Sequence, residues 1–440
     1  MERSQARMRS LVRHWYRSRL AVVIESVLIG FAVGFVIVLF RISLEKAEAL
    51  RRRLYSFLPR APFYWTALWA AALGLTGIFL GWAAKARPMI RGSGIPQIKG
   101  ALSREMSFEW GPELPLKLIT GILALAAGLS LGREGPSILI GAYVGMGVLT
   151  LFRRPHAERK YLVTAASAAG MAAAFNAPLA GVLFAIEELQ STFYPLNIAC
   201  AMGASMAADA VAGYFFGLGP VFDFRHAAVL PLSAFPWVAV LGVLCAILGD
   251  LFKKALYRSL SLYDRLRIPQ TIRPVPALLV SIPLGLFFFD ITGGGHGLIE
   301  SLSIKEPAFA MIGLLFFGKL IFTAFCYGSG ASGGIFLPFL SCGALTGIAL
   351  GKVLTHFGLA LSAQRLNFMI LGMAGFFTGV VKAPVTGIVL ILEMSGNFNH
   401  LGSLVLVSLS AFVTSEVIAS RPVYAVLLEW ILTAKKSLNR

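Results

Sequence analysis

Long, uninterrupted apolar stretches dominate this sequence and limit what it can fold into. With 57% hydrophobic and only 14% charged residues, the chain is too apolar for a water-soluble domain. Leu, Ala, Gly and Phe fill these stretches without the period-two alternation of a transmembrane strand. We therefore predict an all-α, polytopic membrane protein. The stretches that approach or reach the roughly 20 residues of a spanning helix are residues 20–40, 65–84, 118–131, 197–217, 234–249, 275–289, 308–326 and 403–414.

The chain is strongly basic, with a formal net charge of +18. Its charges lie in short segments that flank apolar stretches, where Lys and Arg mark the cytoplasmic side of a membrane, and not in a nucleic-acid-binding surface. We therefore predict that segments 1–19, 153–160 and 435–440 are cytoplasmic, with both termini on that side. The Arg cluster at 51–53 conflicts with this, because one helix after a cytoplasmic N-terminus it would lie outside. A basic start also resembles a secretory signal, but the apolar run is too long and passes into Arg41 without a cleavage site.

The cysteines and histidines do not indicate a disulfide framework or a metal site. The six histidines are scattered, and no two are spaced to ligate a metal from one helix face. We therefore predict no metal and no cofactor. The cysteines lie in apolar surroundings without CxxC spacing, and we predict that they are small core residues. They are Cys200, Cys245, Cys326 and Cys342.

Landmarks recur in the same order in both halves of the chain, which indicates an internal duplication. Lys117 is followed by the segment 132–136, and Lys319 is followed at the same offsets by the segment 334–338. Both segments begin with glycine and end with proline. The matched spacing makes a chance resemblance between the two halves improbable.

Two further pairs of segments extend the duplication. In 177–187 and 383–393, an Ala-Pro pair is followed at the same spacing by a glutamate. A looser match joins the Gly-x-Gly of 92–95 to that of 295–298. Apolar segments interrupted by Gly and Pro at matching places predict two inverted repeats, with broken helices that meet near the membrane midplane.

A helix that begins inside the membrane is suited to binding an anion. It presents unpaired backbone N–H groups and the positive end of its dipole. Glycine lets the backbone approach the ion closely. Partial charges also suit transport, because a bare lysine in a low dielectric would hold an anion too tightly for it to leave.

At these landmarks the sequence resembles the CLC family of chloride channels and transporters. The three signature segments of that family are close to GSGIP, GREGP and GxFxP, and all three occur here in order, at 92–96, 132–136 and 334–338. The similarity continues to Tyr424 and covers the chain from about 20 to 430. The resemblance implies a transporter that exchanges chloride for protons, with a passive chloride channel as the alternative.

The resemblance also implies which groups coordinate a dehydrated chloride. They are the hydroxyls of Ser93 and Tyr424 and the backbone N–H groups of Ile335 and Phe336. Hydroxyls and amides donate hydrogen bonds without carrying a full charge. The alternatives are a helix-capping serine and an interfacial tyrosine.

Glu134 stands out because a carboxylate at a broken-helix N-terminus inside a membrane is costly unless it has a function. By resemblance it is the transport gate: ionised, it occupies the outer anion site, and protonated, it swings away and chloride enters. The alternative is a carboxylate that only stabilises the helix dipole. Arg133 is predicted to tune the gate or to keep the outer mouth positive. Lys117 is predicted to raise the local potential, with a lysine that snorkels to the interface as the alternative.

Glu188 matches the internal glutamate through which the family's transporters pass protons from the inner side. Passive channels of the family commonly have an uncharged residue there, so Glu188 favours exchange. The alternative is that Glu187 and Glu188 end an apolar helix in water, and for Glu187, the counterpart of Glu393, we expect a structural role. Gln97 and Lys99 replace acidic residues of some bacterial relatives, which should alter the electrostatics of the inner vestibule.

Two enzyme motifs match the sequence by accident. Residues 330–334 fit G-x-S-x-G and residues 328–333 fit G-x-G-x-x-G. The first motif needs a preceding strand, and the second needs an acidic residue about 20 positions on. No acidic residue occurs between Glu306 and Glu393, so we predict that the protein is not an enzyme.

The domain organisation follows from these assignments. We predict a basic cytoplasmic segment at 1–19, a transmembrane domain at 20–430 and a short cytoplasmic tail at 431–440. Repeat one spans about 65–215 and repeat two about 275–425. No cytoplasmic CBS domains and no nucleotide regulation are expected. The resemblance to the prokaryotic branch implies a plasma (inner) membrane location, contact with lipid, and a homodimer with a complete pathway in each subunit.

Overall fold

The computed structural model describes residues 2–153, 156–190, 193–359 and 364–438, with the side chains of 19–153, 158–190, 193–359 and 364–434. This part of the chain forms seventeen α-helices and no β-strand beyond isolated bridges. The all-α prediction is therefore confirmed. The helices are α1 (Glu2–Phe57), α2 (Phe63–Ala86), α3 (Ile95–Leu102), α4 (Trp110–Ala126), α5 (Glu134–Leu151), α6 (His156–Phe175), α7 (Pro178–Phe184), α8 (Pro195–Phe216), α9 (Phe235–Arg265), α10 (Pro274–Phe287), α11 (His296–Ile304), α12 (Phe309–Gly328), α13 (Phe336–His356), α14 (Arg365–Val381), α15 (Pro384–Ser395), α16 (Leu401–Val417) and α17 (Val423–Leu438).

Short irregular turns join several of these helices. Helix α7 continues directly into a π-helical segment, Ala185–Gln190. The 3₁₀ turns lie at Leu58–Arg60, Pro88–Ile90, Leu232–Ala234, Phe289–Ile291 and Phe398–His400.

Eight of the described helices are long and apolar enough to cross a membrane. They are α1, α2, α5, α8, α9, α12, α13 and α16. Helix α1 shows how they meet lipid, because one face carries exposed apolar side chains at helical spacing, while Ile29, Val33 and Ile37 on another face are buried. A surface of this kind suits acyl chains and not water. The exposed apolar side chains of this face, between residues 20 and 39, are Leu20, Ile24, Leu28, Phe31, Phe35 and Leu39.

The core is packed through glycine contacts that recur in both halves. A Cβ at Gly141 of α5 would lie 3.3 Å from the Cα of Gly170 in α6. In the second half, a Cβ at Gly343 of α13 would lie 2.5 Å from the carbonyl oxygen of Gly372 in α14. Small residues let membrane helices approach closely. The four cysteines are buried, which confirms them as core residues.

Helix pairings repeat in the same order along the chain. In the first half α1 packs against α8 and α5 against α6; in the second half α9 packs against α16 and α13 against α14. Because the same pairings occur once in each half and in the same order, they support the internal duplication.

Reciprocal hydrogen bonds tie the two halves together. The Glu187 carboxylate accepts from the backbone N–H of Thr386 at the start of α15, over 2.7 Å, and from its hydroxyl, also over 2.7 Å. Glu393 accepts from the backbone N–H of Ala180 in α7, over 2.8 Å. Each glutamate thus caps the broken helix of the other half. The structural role expected for Glu187 is confirmed. The two halves exchange equivalent contacts, as two repeats related by a local two-fold axis do.

The glycines before α3 and α11 correct one detail of the sequence match. Gly92 and Gly94 have φ of 56° and 89°, and Gly293 and Gly295 have φ of 68° and 105°. The left-handed region favours glycine at all four positions. The equivalent pairs are therefore Gly92 with Gly293 and Gly94 with Gly295, so the match of 92–95 to 295–298 was wrong by two positions at its first glycine.

The Arg cluster at 51–53 lies inside α1 and not in a loop. Arg51 is buried; its guanidinium donates a hydrogen bond of 2.6 Å to the Thr292 hydroxyl and lies 4.6 Å from the centre of the Phe289 ring. A charge used in this way is part of the packed protein. Of the three arginines, only Arg51 is accounted for in this way, because Arg52 and Arg53 are exposed.

Candidate functional site

Two helices begin side by side in the protein interior. The backbone of Gly132, just before α5, pairs with that of Gly334, just before α13: each N–H donates to the other's carbonyl, over 2.6 and 2.8 Å. The N-termini of α5 and α13 are thereby held next to each other. Two adjacent helix N-termini create a region of positive partial charge that favours an anion.

Glu134 is the first residue of α5 and is fully buried. Its carboxylate folds back toward Gly132, where a Cβ would collide with Oε2. The side chain also lies against the N–H of Leu337 in the first turn of α13. Neither oxygen has a hydrogen-bond partner of good geometry in the described part of the chain. The carboxylate therefore lies between the two helix N-termini, where a free anion would be stabilised.

Ile335 and Phe336 form the start of α13. Ile335 is the N-cap residue, and no side chain of the described residues caps the helix there. Both side chains are fully buried, and the Phe336 ring packs against Phe175 and Phe377, with centroid distances of 5.4 and 5.2 Å. This packing fixes the backbone, so the first N–H groups of α13 are held in place for a ligand.

Ser93 is buried in the loop before α3 and contacts the beginning of α5. A Cβ at Gly135 would lie 2.7 Å from the Ser93 Cβ. Only a glycine at position 135 allows this approach. The Ser93 hydroxyl oxygen also accepts a hydrogen bond of 3.4 Å from the N–H of Ile95. The loop therefore places a hydroxyl beside the helix that carries Glu134.

Tyr424, in the first turn of α17, completes the set of predicted anion ligands. Its side chain is fully buried, and its hydroxyl has no hydrogen-bond partner among the described residues. A Cβ at Gly100 of α3 would lie 3.1 Å from Cδ1 of Leu428, one turn beyond Tyr424 in α17. Helix α17 packs against α3. The structure thus brings Ser93 and Tyr424 into the same buried region as the starts of α5 and α13.

Lys117 is buried in the middle of α4, so the snorkelling alternative is wrong. Its ammonium donates hydrogen bonds of 2.9 and 2.7 Å to the carbonyls of Ile90 and Gly92. Lys319, its counterpart in α12, donates to the carbonyl of Gly293 over 2.7 Å. Each lysine holds the glycine loop before the broken helix of its own half. Whether Lys117 also raises the potential of a pathway stays a prediction.

Lys117→Met should lower the free energy of unfolding by about 3 kcal/mol. Methionine fills a similar volume, but it leaves two buried carbonyls without their charged donor. Thermal unfolding in detergent, followed by size-exclusion fluorescence, measures the effect. Lys319→Met should behave in the same way, and Lys85→Met, at an exposed position of α2, is the control. Unchanged unfolding temperatures in both buried variants would contradict the prediction.

Arg133 lines a cavity of about 160 Å³ that leads to Glu134. Its guanidinium lies 3.7 Å from a carboxylate oxygen of Glu45 in α1. Glu48, Arg51 and His296 also line this cavity. The mouth on this side of Glu134 thus contains charges of both signs.

Glu188 lies in the π-helical segment after α7 and is almost fully buried. One of its oxygens accepts a hydrogen bond of 2.6 Å from the ammonium of Lys99 in α3. π-Helical turns frequently occur at functional positions. Lys99 was expected to change the electrostatics near the inner vestibule. The structure shows which group it acts on, because this lysine forms an ion pair with Glu188. The alternative in which Glu188 ends a helix in water is wrong.

Helix α1 shows that Glu134 and Glu188 lie toward opposite ends of the spanning region. Where the candidate span of α1 begins, Arg19 donates a hydrogen bond of 2.6 Å to the hydroxyl of Tyr194, which follows the π-helical segment by a few positions in the chain. Near its end, Glu45 contacts Arg133, beside Glu134. At about 1.5 Å per residue, about 39 Å of helix separates Arg19 from Glu45. Glu134 therefore lies near the Glu45 end of this span, and the segment that contains Glu188 lies near the Arg19 end.

Tyr327 is a polar residue of the site that no sequence motif marks. It lies in the last turn of α12 and is largely buried, and a Cβ at Gly92, the residue before Ser93, would lie 2.9 Å from its hydroxyl oxygen. In the sequence it stands in an apolar stretch, where an aromatic residue is ordinary core material.

The fold, with eight candidate spans packed around broken helices, defines a multi-pass membrane protein. The family model described as voltage gated chloride channel matches residues 76–416, and the chain belongs to this family. The family resemblance seen in the sequence is confirmed.

Individual relatives agree with this assignment. The chain is 33% identical over 436 residues to the H(+)/Cl(-) exchange transporter ClcA of Vibrio cholerae serotype O1 (strain M66-2), covering 94% of this chain and 91% of the relative. It is 32% identical over 426 residues to the transporter of the same name from Citrobacter koseri, covering 94% and 89%. The crystal structure of a slow cyanobacterial Cl-/H+ antiporter is similar with a TM-score of 0.89 at 28% identity, over 94% of this chain and 98% of that one. A CLC-type fluoride/proton antiporter shares the fold, with a TM-score of 0.77 at 22% identity over 90% and 95%.

Proposed function

We propose that this chain exchanges chloride for protons across a membrane. The observation that carries the proposal is the buried carboxylate of Glu134, which lies without good hydrogen bonds between the N-termini of α5 and α13. Such a group can take up a proton, and an anion can replace its charged form. The names of the relatives, which are H+/Cl- exchange transporters, support the same function.

Chloride is coordinated by the hydroxyls of Ser93 and Tyr424 and by the backbone N–H groups of Ile335 and Phe336. All four are neutral donors, so they replace part of the hydration shell without holding the ion by a full charge. Their burial supports the assignment, because a dehydrated anion needs donors that do not already face water.

Glu134 is the gate that links the two ions. Charged, its carboxylate occupies the outer anion position between the helix N-termini. Protonated, it loses that attraction and leaves the position to chloride. Because one side chain does both, proton uptake and chloride entry alternate.

Glu188 receives protons from the cytoplasmic side. Its nearly complete burial and its ion pair with Lys99 support a role beyond a helix-end charge. The proton route enters at Glu188 from the cytoplasmic side and ends at Glu134, which lies beside the outer mouth. This arrangement favours exchange over the alternative, a passive chloride channel, which has no need of an internal acid.

Arg133 and Lys117 set the electrostatics of the pathway. Arg133 keeps the outer mouth attractive to anions, although Glu45 offsets part of its charge. Lys117 contributes positive potential from behind the Ser93 loop. Its ammonium is held there by hydrogen bonds to the carbonyls of Ile90 and Gly92.

The protein works as a homodimer in the plasma (inner) membrane, with both termini cytoplasmic and lipid around it. The basic segment 1–19, which precedes the apolar part of α1, supports this orientation. The two repeats have inverted orientations, and the exchange of capping contacts between Glu187 and Glu393 supports a two-fold relation between them. The predicted bounds, about 65–215 and 275–425, leave out α1 and α9, whose matching packing against α8 and α16 supports starting the repeats at α1 and at α9.

Reconstitution in liposomes tests the proposed function. A chloride gradient is imposed without a proton gradient, the voltage is set with valinomycin and potassium, and the external pH is recorded. We expect chloride to drive protons uphill, in the direction opposite to its own flux. Chloride flux without proton movement would instead identify a passive channel.

A further inference from the structure

We propose that a cavity at the Arg19 end of the membrane-spanning region binds an anionic phospholipid, whose phosphate is held by basic side chains. The cavity has a volume of about 770 Å³ and lies between the loop after α3, the last turns of α5 and the first turns of α6. A volume of this size is typical of a ligand site. The inference does not depend on the exchange of chloride for protons, because no residue of the proposed anion site lines this cavity.

The polar side of the cavity carries three basic side chains. Arg104 belongs to the loop after α3, and Arg159 and Lys160 belong to the first turns of α6. The acidic residues next to them in the chain, Glu105 and Glu158, do not line the cavity. The Nε of Arg159 is buried and has no hydrogen-bond partner in the described part of the chain, whereas buried donors are normally paired. The cavity therefore has an excess of positive charge and a buried donor available to an anion.

The rest of the cavity wall is largely apolar and firmly packed. It includes Leu102, Met106, Phe108, Trp110, Met146 and Val163. Phe108 meets the ring of Tyr143 edge-on, with 5.4 Å between the ring centroids. A Cβ at Gly147 would lie 2.9 Å from Cε3 of Trp110, so this indole lies directly on the backbone of α5. The apolar part of a lipid is stabilised by covering such a wall, whereas a soluble anion leaves the wall in water.

The cavity opens beside a surface that suits acyl chains. Thr150 lines the cavity, and the two residues that follow it, Leu151 and Phe152, are 78% and 68% exposed at the end of α5. Aromatic and basic side chains together are typical of the boundary between acyl chains and head groups. A lipid whose phosphate lies in the cavity can therefore extend its chains over Leu151 and Phe152.

The cavity lies on the side of the membrane where the span of α1 begins. Tyr161 lines it, and the Tyr161 ring lies 6.1 Å from the ring of Tyr194, which accepts the hydrogen bond from Arg19. This is the side proposed to be cytoplasmic. The cytoplasmic leaflet contains anionic lipids, and basic pockets between membrane helices on that side bind their head groups. Charge, apolar wall and position thus favour an anionic phospholipid over a soluble anion.

Lipid binding to the purified full-length protein tests the proposal. The protein in detergent is titrated with dioleoyl phosphatidylglycerol, and bound lipid is counted by native mass spectrometry. The double variant Arg159→Gln/Lys160→Gln should raise the Kd of this lipid about 30-fold, because each basic residue near a lipid head group contributes about fivefold. Arg104→Gln, a single change at an exposed loop position, should raise the Kd about fivefold without disturbing α6.

Two further probes and a control variant isolate the contribution of the cavity. Dioleoyl phosphatidylcholine has the same chains but no net charge, so it should bind more weakly, with a Kd that the variants leave unchanged. Glycerol phosphate has the charge without the chains and should not bind measurably. Arg258→Gln/Arg265→Gln removes two charges at exposed positions of α9 and should leave the phosphatidylglycerol Kd at the wild-type value.

Four results would overturn the proposal. The first is an unchanged phosphatidylglycerol Kd in both cavity variants, and the second is equal affinity of the wild type for phosphatidylcholine. Glycerol phosphate bound as tightly as the lipid would make the cavity a site for a soluble anion. An equal loss of affinity in the α9 control would show that net surface charge, and not the cavity, attracts the lipid.

Discussion

Replacing Glu134 with glutamine should abolish chloride-driven proton movement in liposomes and leave chloride flux in place. Glutamine matches the size of glutamate, but its amide does not ionise. The loss of proton flux should be at least about 100-fold, the scale on which a positioned acid–base group contributes to proton transfer. Chloride flux persists because a neutral amide, unlike a carboxylate, does not compete with chloride for the site at the N-termini of α5 and α13. Chloride and pH electrodes record both fluxes on the same liposomes.

Glu113→Gln provides a matched control for this experiment. Glu113 is also a buried carboxylate, but it lies in α4, where it accepts a hydrogen bond of 3.2 Å from the N–H of Glu109. Both fluxes should survive in that variant. Proton movement that persists at the wild-type rate in Glu134→Gln would show that another group links the two ions.

The broken helices could be predicted because their signals are local. The segments 92–96, 132–136 and 334–338 combine glycine and proline in apolar surroundings, and α3, α5 and α13 begin within them. In 92–96 glycine permits the left-handed turns, and in all three segments a proline lies in the first turn of the helix, where it is favoured. The three starts were thus fixed by residues that adjoin them in the chain.

The burial of Lys117 could not be predicted in the same way. A lysine in an apolar helix either reaches the interface or turns inward, and the outcome depends on which helix face is packed. Here the deciding partners are the carbonyls of Ile90 and Gly92, on a loop distant in the chain. Only the folded chain brings these carbonyls to the lysine.

The partners of Glu188 and Ser93 were equally beyond a local pattern. Lys99 and Glu188 are 89 positions apart, and Tyr327 lies in the other half of the chain from Ser93. These positions depend on how α3 packs against the π-helical segment and on how α12 ends beside the glycine loop, where the Tyr327 hydroxyl lies against Gly92. The sequence marked Lys99 as unusual, but its ion pair with Glu188 is visible only in the structure.

Replacing Glu188 with glutamine should reduce proton movement by at least about 100-fold, with chloride flux retained. The physical reason differs from that for Glu134. The chloride ligands and the outer gate stay intact, but protons from the cytoplasmic side no longer meet an acid on their way to the gate. In the liposome assay the variant should therefore carry chloride without the opposing pH change.

Lys99→Met is the variant that separates a proton carrier from a structural ion pair. It removes the cation that lies 2.6 Å from Glu188 but keeps the carboxylic acid. Loss of a nearby positive charge favours the protonated form of a carboxyl group. Proton coupling should then survive, and the midpoint of its dependence on internal pH should move to higher pH. If Lys99→Met abolishes coupling as completely as Glu188→Gln does, the pair serves to hold α3 against the π-helical segment, and the protons take a different route to Glu134.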